Sequence, residues 1–234
     1  MKPEIEDRSK GCVREDQSIW HYRDFAEFVS ILQNGVLWFS RLDQLRDPFE
    51  GRSARARVSK FFAKAERHTR GGYVSCWSIN ESESGLMWLA YAPNWGVAIR
   101  SSKRGLIAAL GQANVGKIVI GCINYDFVVP AKTSTLSEEE QLQAYPEVFR
   151  KACHFTGENE LRAFIPPEEL CVGDAKLGPE YDGKLVRLAL PDLLCEVWVA
   201  PTAPYWFKPV VEAELSKYGY GAVPVRIRET FPAD

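Results

Sequence analysis

The chain has 234 residues, 46% hydrophobic and 26% charged, which are the proportions of a globular protein able to bury a core. Its 29 lysines and arginines nearly balance 31 aspartates and glutamates, so no overall basic excess indicates a nucleic-acid-binding protein. No apolar stretch approaches the roughly 20 residues that span a bilayer, and the polar N-terminus lacks an apolar signal core. We therefore expect no membrane partner and a cytoplasmic location.

The six cysteines agree with that location. They form no Cys-x-x-Cys pair, and no His–Cys spacing suits zinc, so no metal is expected. Cys76, Cys122 and Cys195 lie in or beside apolar, strand-like runs, which is typical of buried free thiols. A reducing compartment is the simplest interpretation of this pattern.

The start of the chain predicts a strand followed by a capped helix. Residues 1–17 are polar and are interpreted as a separate, loosely attached N-terminal segment. The run 19–22 predicts the first strand. Asp24 has the features of a helix N-cap, with Glu27 three residues later as its capping-box partner, and Gly35 fits the C-terminal stop.

The remaining elements follow in chain order: a strand over 36–40, a helix over 53–70, a strand over 73–79, a helix over 84–91, strands over 96–100 and 118–127, a helix over 137–155, strands over 158–164, 185–190 and 196–200, a helix over 209–218 and a strand over 223–227. Strands and helices do not alternate as regular βαβ units. We therefore predict an α+β fold. A single domain over 18–234 would contain a mainly antiparallel sheet, continuous or split, flanked by helices.

Glu158, Glu160 and Arg162 occupy alternate positions of the run 158–164. Alternate residues of a strand share one face, so the three side chains are expected to point the same way. Two carboxylates at that spacing repel each other unless a cation or hydrogen-bond donors compensate. The pattern fits a solvated sheet face on which Arg162 neutralises Glu160. It also fits a carboxylate pair that binds a ribose hydroxyl, a metal ion or a proton in transit.

A second pair of acids lies in the bend Asp47-Pro48-Phe49-Glu50-Gly51. Asp before Pro is a common turn starter, so turn chemistry alone explains these residue types. Phe49 between the acids indicates a bend that is pinned to the core, which would hold both carboxylates rigidly. Asp47 and Glu50 are therefore predicted as a supporting or alternative acid site.

Several polar and aromatic side chains are candidates for a binding pocket. His21 lies near the end of the first strand, where it is either a satisfied structural residue or a ligand-binding one. Ser75 and Ser78 lie on a strand, where cross-strand packing is the simpler role. Trp88 and Tyr91 are three residues apart on a predicted helix and share a face. That face belongs either to the core or to an aromatic pocket for a base or nicotinamide.

The segment Arg52–Arg70 is rich in basic residues and reads either as a solvated helix face or as a phosphate-binding surface beside the acids. No Walker motif, G-x-G-x-x-G, G-x-S-x-G or H-E-x-x-H sequence is present. The Glu-x-Lys arrangement of one nuclease type is not matched either.

The order of motifs resembles that of a widespread bacterial domain family of unknown function, from about Ile19 to Ile227. The motifs that carry this resemblance are Trp20-His21-Tyr22, Gly35 to Ser40, Asp47 to Glu50, Ser75 to Ser78, Leu86-Met87-Trp88 with Tyr91, Gly96 to Ile99, Lys151 before Glu158 to Arg162, and Val197 to Pro201. This resemblance implies no function.

The chain also resembles ADP-ribosyltransferases, which carry an early His or Arg, a central Ser-x-Ser strand and a late Glu-x-Glu. The corresponding positions are His21, Ser75 with Ser78, and Glu158 with Glu160. Cys76-Trp77 departs from the smaller residues usual in that central motif. The resemblance implies an ADP-ribosyltransferase-like fold, with NAD as a substrate.

The same resemblance implies a role for each candidate residue. His21 would hold the adenosine ribose, Ser75 or Ser78 would support the nicotinamide pocket, and Tyr91 would stack there. Glu160 would bind the ribose hydroxyl and stabilise the oxocarbenium-like charge, and Glu158 would activate the acceptor. The residues expected to contact NAD are His21, Tyr22, Ser75, Ser78, Trp88, Tyr91 and Arg162.

We therefore expect an NAD-dependent ADP-ribosyltransferase-like enzyme, acting as a toxin, effector or phage-defence protein on a protein or nucleic-acid acceptor. One alternative is a metal-dependent phosphoesterase or nuclease that uses Asp47, Glu50, Glu158 and Glu160. The other is a module without enzymatic activity that senses a nucleotide or nucleic acid, with Trp88 and Tyr91 stacking on a base.

Overall fold

The computed structural model describes residues 2–45, 72–125, 146–166 and 183–228. These residues contain ten strands and five α-helices, and they confirm the predicted α+β class with an open, mixed and mainly antiparallel sheet. No helix within these ranges is long and apolar enough to cross a membrane. The predicted helix over 53–70 and the acids Asp47 and Glu50 lie outside the described residues.

The strands are β1 Glu4–Asp7, β2 Ser18–Asp24, β3 Val36–Arg41, β4 Tyr73–Ile79, β5 Gly96–Ser102, β6 Lys117–Cys122, β7 Glu160–Ile165, β8 Gly183–Arg187, β9 Glu196–Val199 and β10 Val225–Ile227. The α-helices are α1 Phe25–Asn34, α2 Gly85–Tyr91, α3 Lys103–Leu110, α4 Leu190–Leu193 and α5 Phe207–Lys217. Short 3₁₀ helices cover Leu42–Gln44, Pro146–Phe149 and Cys153–Glu158.

The chain divides into two compact units, each assembled from three separate segments. The first unit comprises Met1–Lys10, Trp38–Cys76 and Val115–Leu185. The second comprises Gly11–Leu37, Trp77–Asn114 and Val186–Asp234. The prediction of a single domain over 18–234, preceded by a separate segment, stays a prediction.

The first unit is built on the strand order β1–β6–β7–β4, with β3 paired to β4 and to β8. Strand β1 runs parallel to β6, whereas β6 and β7 are antiparallel. Its core contains Leu42, Val74, Val119, Val148 and Phe164. Strand β1 was not expected, because three of its four residues are acidic. The ammonium of Lys117 compensates by contacting Glu4 and Glu6, at 3.2 and 2.8 Å.

The second unit is built on the strand order β4–β2–β5–β9–β10. Strand β2 pairs antiparallel with β5 over its whole length, β5 pairs antiparallel with β9, and β10 runs parallel to β9. One face of β2 packs on helix α2, where Trp20, Tyr22, Met87, Trp88 and Ala98 form an aromatic-rich core.

Helix α1 confirms the N-cap and the C-terminal stop that were read from the sequence. The Asp24 carboxylate accepts a hydrogen bond from the backbone N–H of Glu27 at 2.7 Å. Gly35 ends the helix in the left-handed region, with φ of 61°, and its N–H donates to the Ile31 carbonyl at 2.9 Å. The buried residues of the helix, Phe28, Ile31 and Leu32, follow the predicted helical spacing.

Four other elements differ from the prediction. The strand over 118–127 ends at Cys122, and the described end of the predicted helix over 137–155 contains two 3₁₀ helices separated by a β-bridge at Arg150. Residues 185–190 contain the end of β8 and the start of α4 rather than one strand. Helix α3 was not predicted at all. It is capped by the Ser102 hydroxyl, which accepts from the Gly105 N–H at 3.0 Å.

The cysteines correct one prediction. Cys12 and Cys122 are disulfide-bonded, so the expectation of a free thiol at Cys122 was wrong. Cys76 and Cys195 are not disulfide-bonded, as predicted, but Cys76 is only half-buried and Cys195 is exposed. The runs around Cys122 and Cys195 are apolar, yet each cysteine lies at or beyond a strand end, where the chain leaves the core.

Candidate functional site

Four charged side chains of the first unit form a buried ionic cluster: Lys151, Glu158, Glu160 and Arg162. Two carboxylates face two cations, so the cluster carries no net charge when all four residues are ionised. Burying an unpaired charge is costly, and this balance allows the cluster to lie inside the protein.

Glu160 and Arg162 form the centre of the cluster on strand β7. The Arg162 Nε donates to Glu160 Oε1 at 2.6 Å, and its Nη2 donates to Oε2 at 3.0 Å. The third donor, Nη1, bonds to the Val148 carbonyl at 2.8 Å. The side chains of Arg162 and Glu160 are only 1% and 5% exposed. The prediction that these two residues share a strand face is therefore confirmed.

Lys151 joins both carboxylates. Its ammonium donates to Glu158 Oε2 at 2.6 Å and lies 3.5 Å from Glu160 Oε2. The ring of Phe155 lies 4.7 Å from the same ammonium. Glu158 is the more accessible acid, with 14% of its side chain exposed.

The backbone that positions Glu158 in the cluster has a different conformation from the predicted one. The expected strand over 158–164 begins only at Glu160, because Glu158 ends a 3₁₀ helix and Asn159 adopts a left-handed conformation with φ of 42°. Asparagine tolerates this conformation better than most residues. Strand alternation therefore does not relate Glu158 to Glu160, and that part of the prediction was wrong.

Opposing effects act on the ionisation of Glu160. Burial alone would raise the pKa of this carboxyl. The Arg162 guanidinium, the Lys151 ammonium and a hydrogen bond from the Cys76 thiol together lower the pKa by more than burial raises it. The pKa of Glu160 is therefore lower than usual. Glu160 is consequently a fixed negative charge at neutral pH.

Tyr125 completes the surroundings of Glu160. The Glu160 backbone N–H donates to the Tyr125 hydroxyl oxygen at 3.0 Å. Burial and the Glu160 charge raise the pKa of Tyr125 well above its usual value, so the phenol stays protonated. Sequence analysis assigned no role to Tyr125, Cys76 or Lys151. Lys151 was part of a motif, but no residue spacing indicated that it would contact both acids.

His21 lies in the second unit and is almost fully buried, with 2% exposure. Its ring stacks on Trp77 at a centroid distance of 4.5 Å. Its Nε2 accepts a hydrogen bond from the Arg23 Nε at 2.7 Å, so that nitrogen carries no proton in this arrangement. These contacts fix both the ring plane and the tautomer of His21.

Tyr22 and Trp88 pack together in the same unit, edge to face at 4.9 Å. The Tyr22 hydroxyl accepts from the Ser84 N–H at 2.8 Å, and burial raises the pKa of Tyr22 to about 12. The Trp88 indole N–H donates to Glu83 at 2.7 Å. Trp88 is only 4% exposed, whereas Tyr91 is half-buried against the same core. Little of the Trp88 ring is available to a ligand.

The two serines of the predicted central motif are both buried in strand β4. Ser75 belongs to the first unit and Ser78 to the second. The Ser78 hydroxyl accepts a hydrogen bond from the side-chain amide of Asn80 at 2.6 Å. Asp47 and Glu50 lie outside the described residues.

The structure thus gathers the candidates into two sets, one in each unit. Glu158, Glu160 and Arg162 meet in the first unit, and Tyr22, Trp88 and Tyr91 meet in the second. Within the described ranges, no three His, Cys, Asp or Glu side chains are grouped so as to hold a metal ion.

Comparison of the chain with models of known protein families gives no match, and a comparison with the curated proteins gives none either. The resemblances drawn from its motifs therefore remain expectations.

The lowered pKa of Glu160 predicts an acid-dependent contribution to stability. The ordinary value is 4.5, so the contribution is fully present above that pH and is lost as the pH falls through the lower folded value. At pH 7, Glu160→Gln should cost about 3–5 kcal/mol of unfolding free energy, because it leaves buried cations unpaired. Denaturant unfolding from pH 7 to pH 2 measures both effects.

The matched control for this experiment is Glu212→Gln, at an exposed residue of helix α5. It should change stability by less than about 0.5 kcal/mol throughout. If the unfolding free energies of Glu160→Gln and the natural protein differed by the same amount at pH 7 and at pH 2, the ionised, paired state of Glu160 would be contradicted.

Tyr22→Phe should destabilise the protein by about 1 kcal/mol, since it leaves the partly buried Ser84 N–H without its acceptor. Tyr205→Phe is the control, because Tyr205 is 90% exposed and should tolerate the same change. Thermal unfolding of both variants measures the difference. Equal melting temperatures would show that the Tyr22 hydroxyl has no such structural role.

Proposed function

We propose that the protein is an NAD-consuming enzyme of the ADP-ribosyltransferase type. The observation that carries the proposal is the carboxylate of Glu160, which Arg162 and Lys151 hold ionised and fixed in an almost water-free environment. Breaking the bond between nicotinamide and ribose builds positive charge on the sugar. A carboxylate already oriented in low-dielectric surroundings stabilises such a charge without having to reorganise.

Glu158 fits the second role in this reaction. It is the more exposed of the two acids, so it is better placed to meet an acceptor group and take up its proton. Arg162 was expected to contact NAD, but its Nε, Nη1 and Nη2 all bond to protein atoms. We therefore assign Arg162 to orienting Glu160.

That His21, Ser75, Ser78, Tyr22, Trp88 and Tyr91 contact NAD stays a prediction from the motif order. Tyr91 is half-buried whereas Trp88 is only 4% exposed, so Tyr91 is the more accessible of these two rings. The acceptor is proposed to be a protein or nucleic acid, in a toxin, effector or phage-defence setting.

The two alternatives have less support. In the phosphoesterase interpretation, Glu158 and Glu160 would hold a metal ion, but both carboxylates already bind the ammonium of Lys151, which would compete for it. In the sensing interpretation, Trp88 would stack on a base, but its ring is buried against Tyr22.

Binding and turnover of NAD test the proposal. NAD at 100 times its dissociation constant should stabilise the protein by about 2.7 kcal/mol, seen as a rise in melting temperature. Glu158→Gln should lower nicotinamide release at least about 100-fold in protein that remains folded. Glu212→Gln, on the surface of α5, should retain full activity. No thermal shift at saturating NAD together with no nicotinamide release would refute the proposal.

A cytoplasmic location is part of the proposal and bears on the disulfide-bonded Cys12 and Cys122. Disulfides are rare in reducing compartments, so in a cytoplasmic protein the disulfide bonding that the structure shows at Cys12 and Cys122 should be reversed by reduction inside the cell. Lysing cells in the presence of an alkylating reagent should modify Cys12 and Cys122, as measured by mass spectrometry. If both residues resist alkylation until a reductant is added, the cytoplasmic location is wrong.

A further inference from the structure

The backbone alone does not place the two acids of the buried ionic cluster side by side. Asn159 lies between them in a left-handed conformation, and only Glu160 belongs to strand β7. Two buried carboxylates also repel each other. A further group must therefore hold Glu158 close to Glu160.

We propose that Lys151 is the positioning residue of this site, and that its ammonium holds Glu158 and Glu160 together for the reaction. The distances of 2.6 Å to Glu158 Oε2 and 3.5 Å to Glu160 Oε2 place one cation between both acids. The inference rests on the proposed function, since the two acids are the groups assigned there to the sugar and to the acceptor.

The ammonium of Lys151 is itself held in place. The Lys151 backbone N–H donates to the Asn124 carbonyl at 3.1 Å, and the preceding residue, Arg150, forms a β-bridge with Asn124. The side chain is only 6% exposed, and the ring of Phe155 lies beside the ammonium. A lysine anchored at both ends of its side chain loses little freedom when it binds the two carboxylates.

The charges of the cluster show what Lys151 contributes. Without this cation, the two carboxylates of the cluster would face the guanidinium of Arg162 in a buried place. Within the described part of the chain, the Cys76 thiol and the Tyr125 phenol also contact Glu160, and neither is a cation. A carboxylate of the cluster would then retain its proton to a higher pH, and a protonated acid performs neither proposed role.

Lys151→Met and Lys151→Arg test the inference, with Lys208→Met on the surface of helix α5 as the matched control. In Lys151→Met, the acid limb of the pH profile for nicotinamide release should move to higher pH. The kcat should fall about 100-fold while the KM for NAD changes less. Lys151→Arg should restore much of the acid limb of the pH profile and of the kcat. Lys208→Met should resemble the natural protein.

A second readout does not depend on turnover. The carboxyl carbon resonance of Glu160, followed by NMR against pH, should titrate at higher pH in Lys151→Met than in the natural protein, because the Lys151 ammonium helps to lower the pKa of Glu160. In the natural protein, the Lys151 side-chain nitrogen resonance should respond at the midpoint of Glu160. This last measurement applies even where Lys151→Met fails to fold.

The outcomes separate this inference from the proposed function. An unchanged Glu160 titration and an unchanged pH profile in folded Lys151→Met would overturn the role of Lys151. A Lys151 nitrogen that does not respond to the Glu160 titration would overturn it as well. A shifted Glu160 titration in a protein that releases no nicotinamide would overturn the proposed reaction, while the placement of the acids by Lys151 would stand.

Discussion

The Arg162 guanidinium and the Glu160 carboxylate are both almost completely removed from water, and they pair with each other on strand β7. Transferring such charges from water costs several kcal/mol each, and the cost is offset only when geometry and hydrogen bonding are nearly complete. Arg162 meets that demand with two bonds to Glu160 and one to the Val148 carbonyl. The pair therefore ties β7 to the segment around Val148, and its geometry governs where the remaining charges can lie.

The same constraint links stability to the proposed chemistry. Glu160 stays ionised because Arg162 and Lys151 outweigh the effect of burial on its pKa. Lys151 in turn binds Glu158, which the left-handed turn at Asn159 brings off the strand. A substitution that weakens any of these contacts should alter the folded state and the reactivity of the acids together.

Local signals in the sequence were sufficient for local structure. The Asp24 cap, the Gly35 stop and strand β4 have short-range causes, namely side-chain capping, a positive φ and β-propensity, and all three were predicted correctly. The pairing of Glu160 with Arg162 also followed from strand periodicity. These features depend on neighbours within a few residues, which a single sequence displays directly.

Long-range contacts account for what the sequence did not predict. Strand β1 is acidic and is stabilised by Lys117, about 110 residues away in the chain. Cys122 is disulfide-bonded, and Tyr125 and Cys76 reach Glu160 from other strands or their ends. The left-handed Asn159 has no marker besides its residue type.

A double-mutant cycle of Glu160→Gln and Arg162→Met tests most directly the central claim that the buried Glu160–Arg162 pair stabilises the fold. A coupling energy of at least about 2 kcal/mol in unfolding is predicted, and a value near zero would contradict the claim.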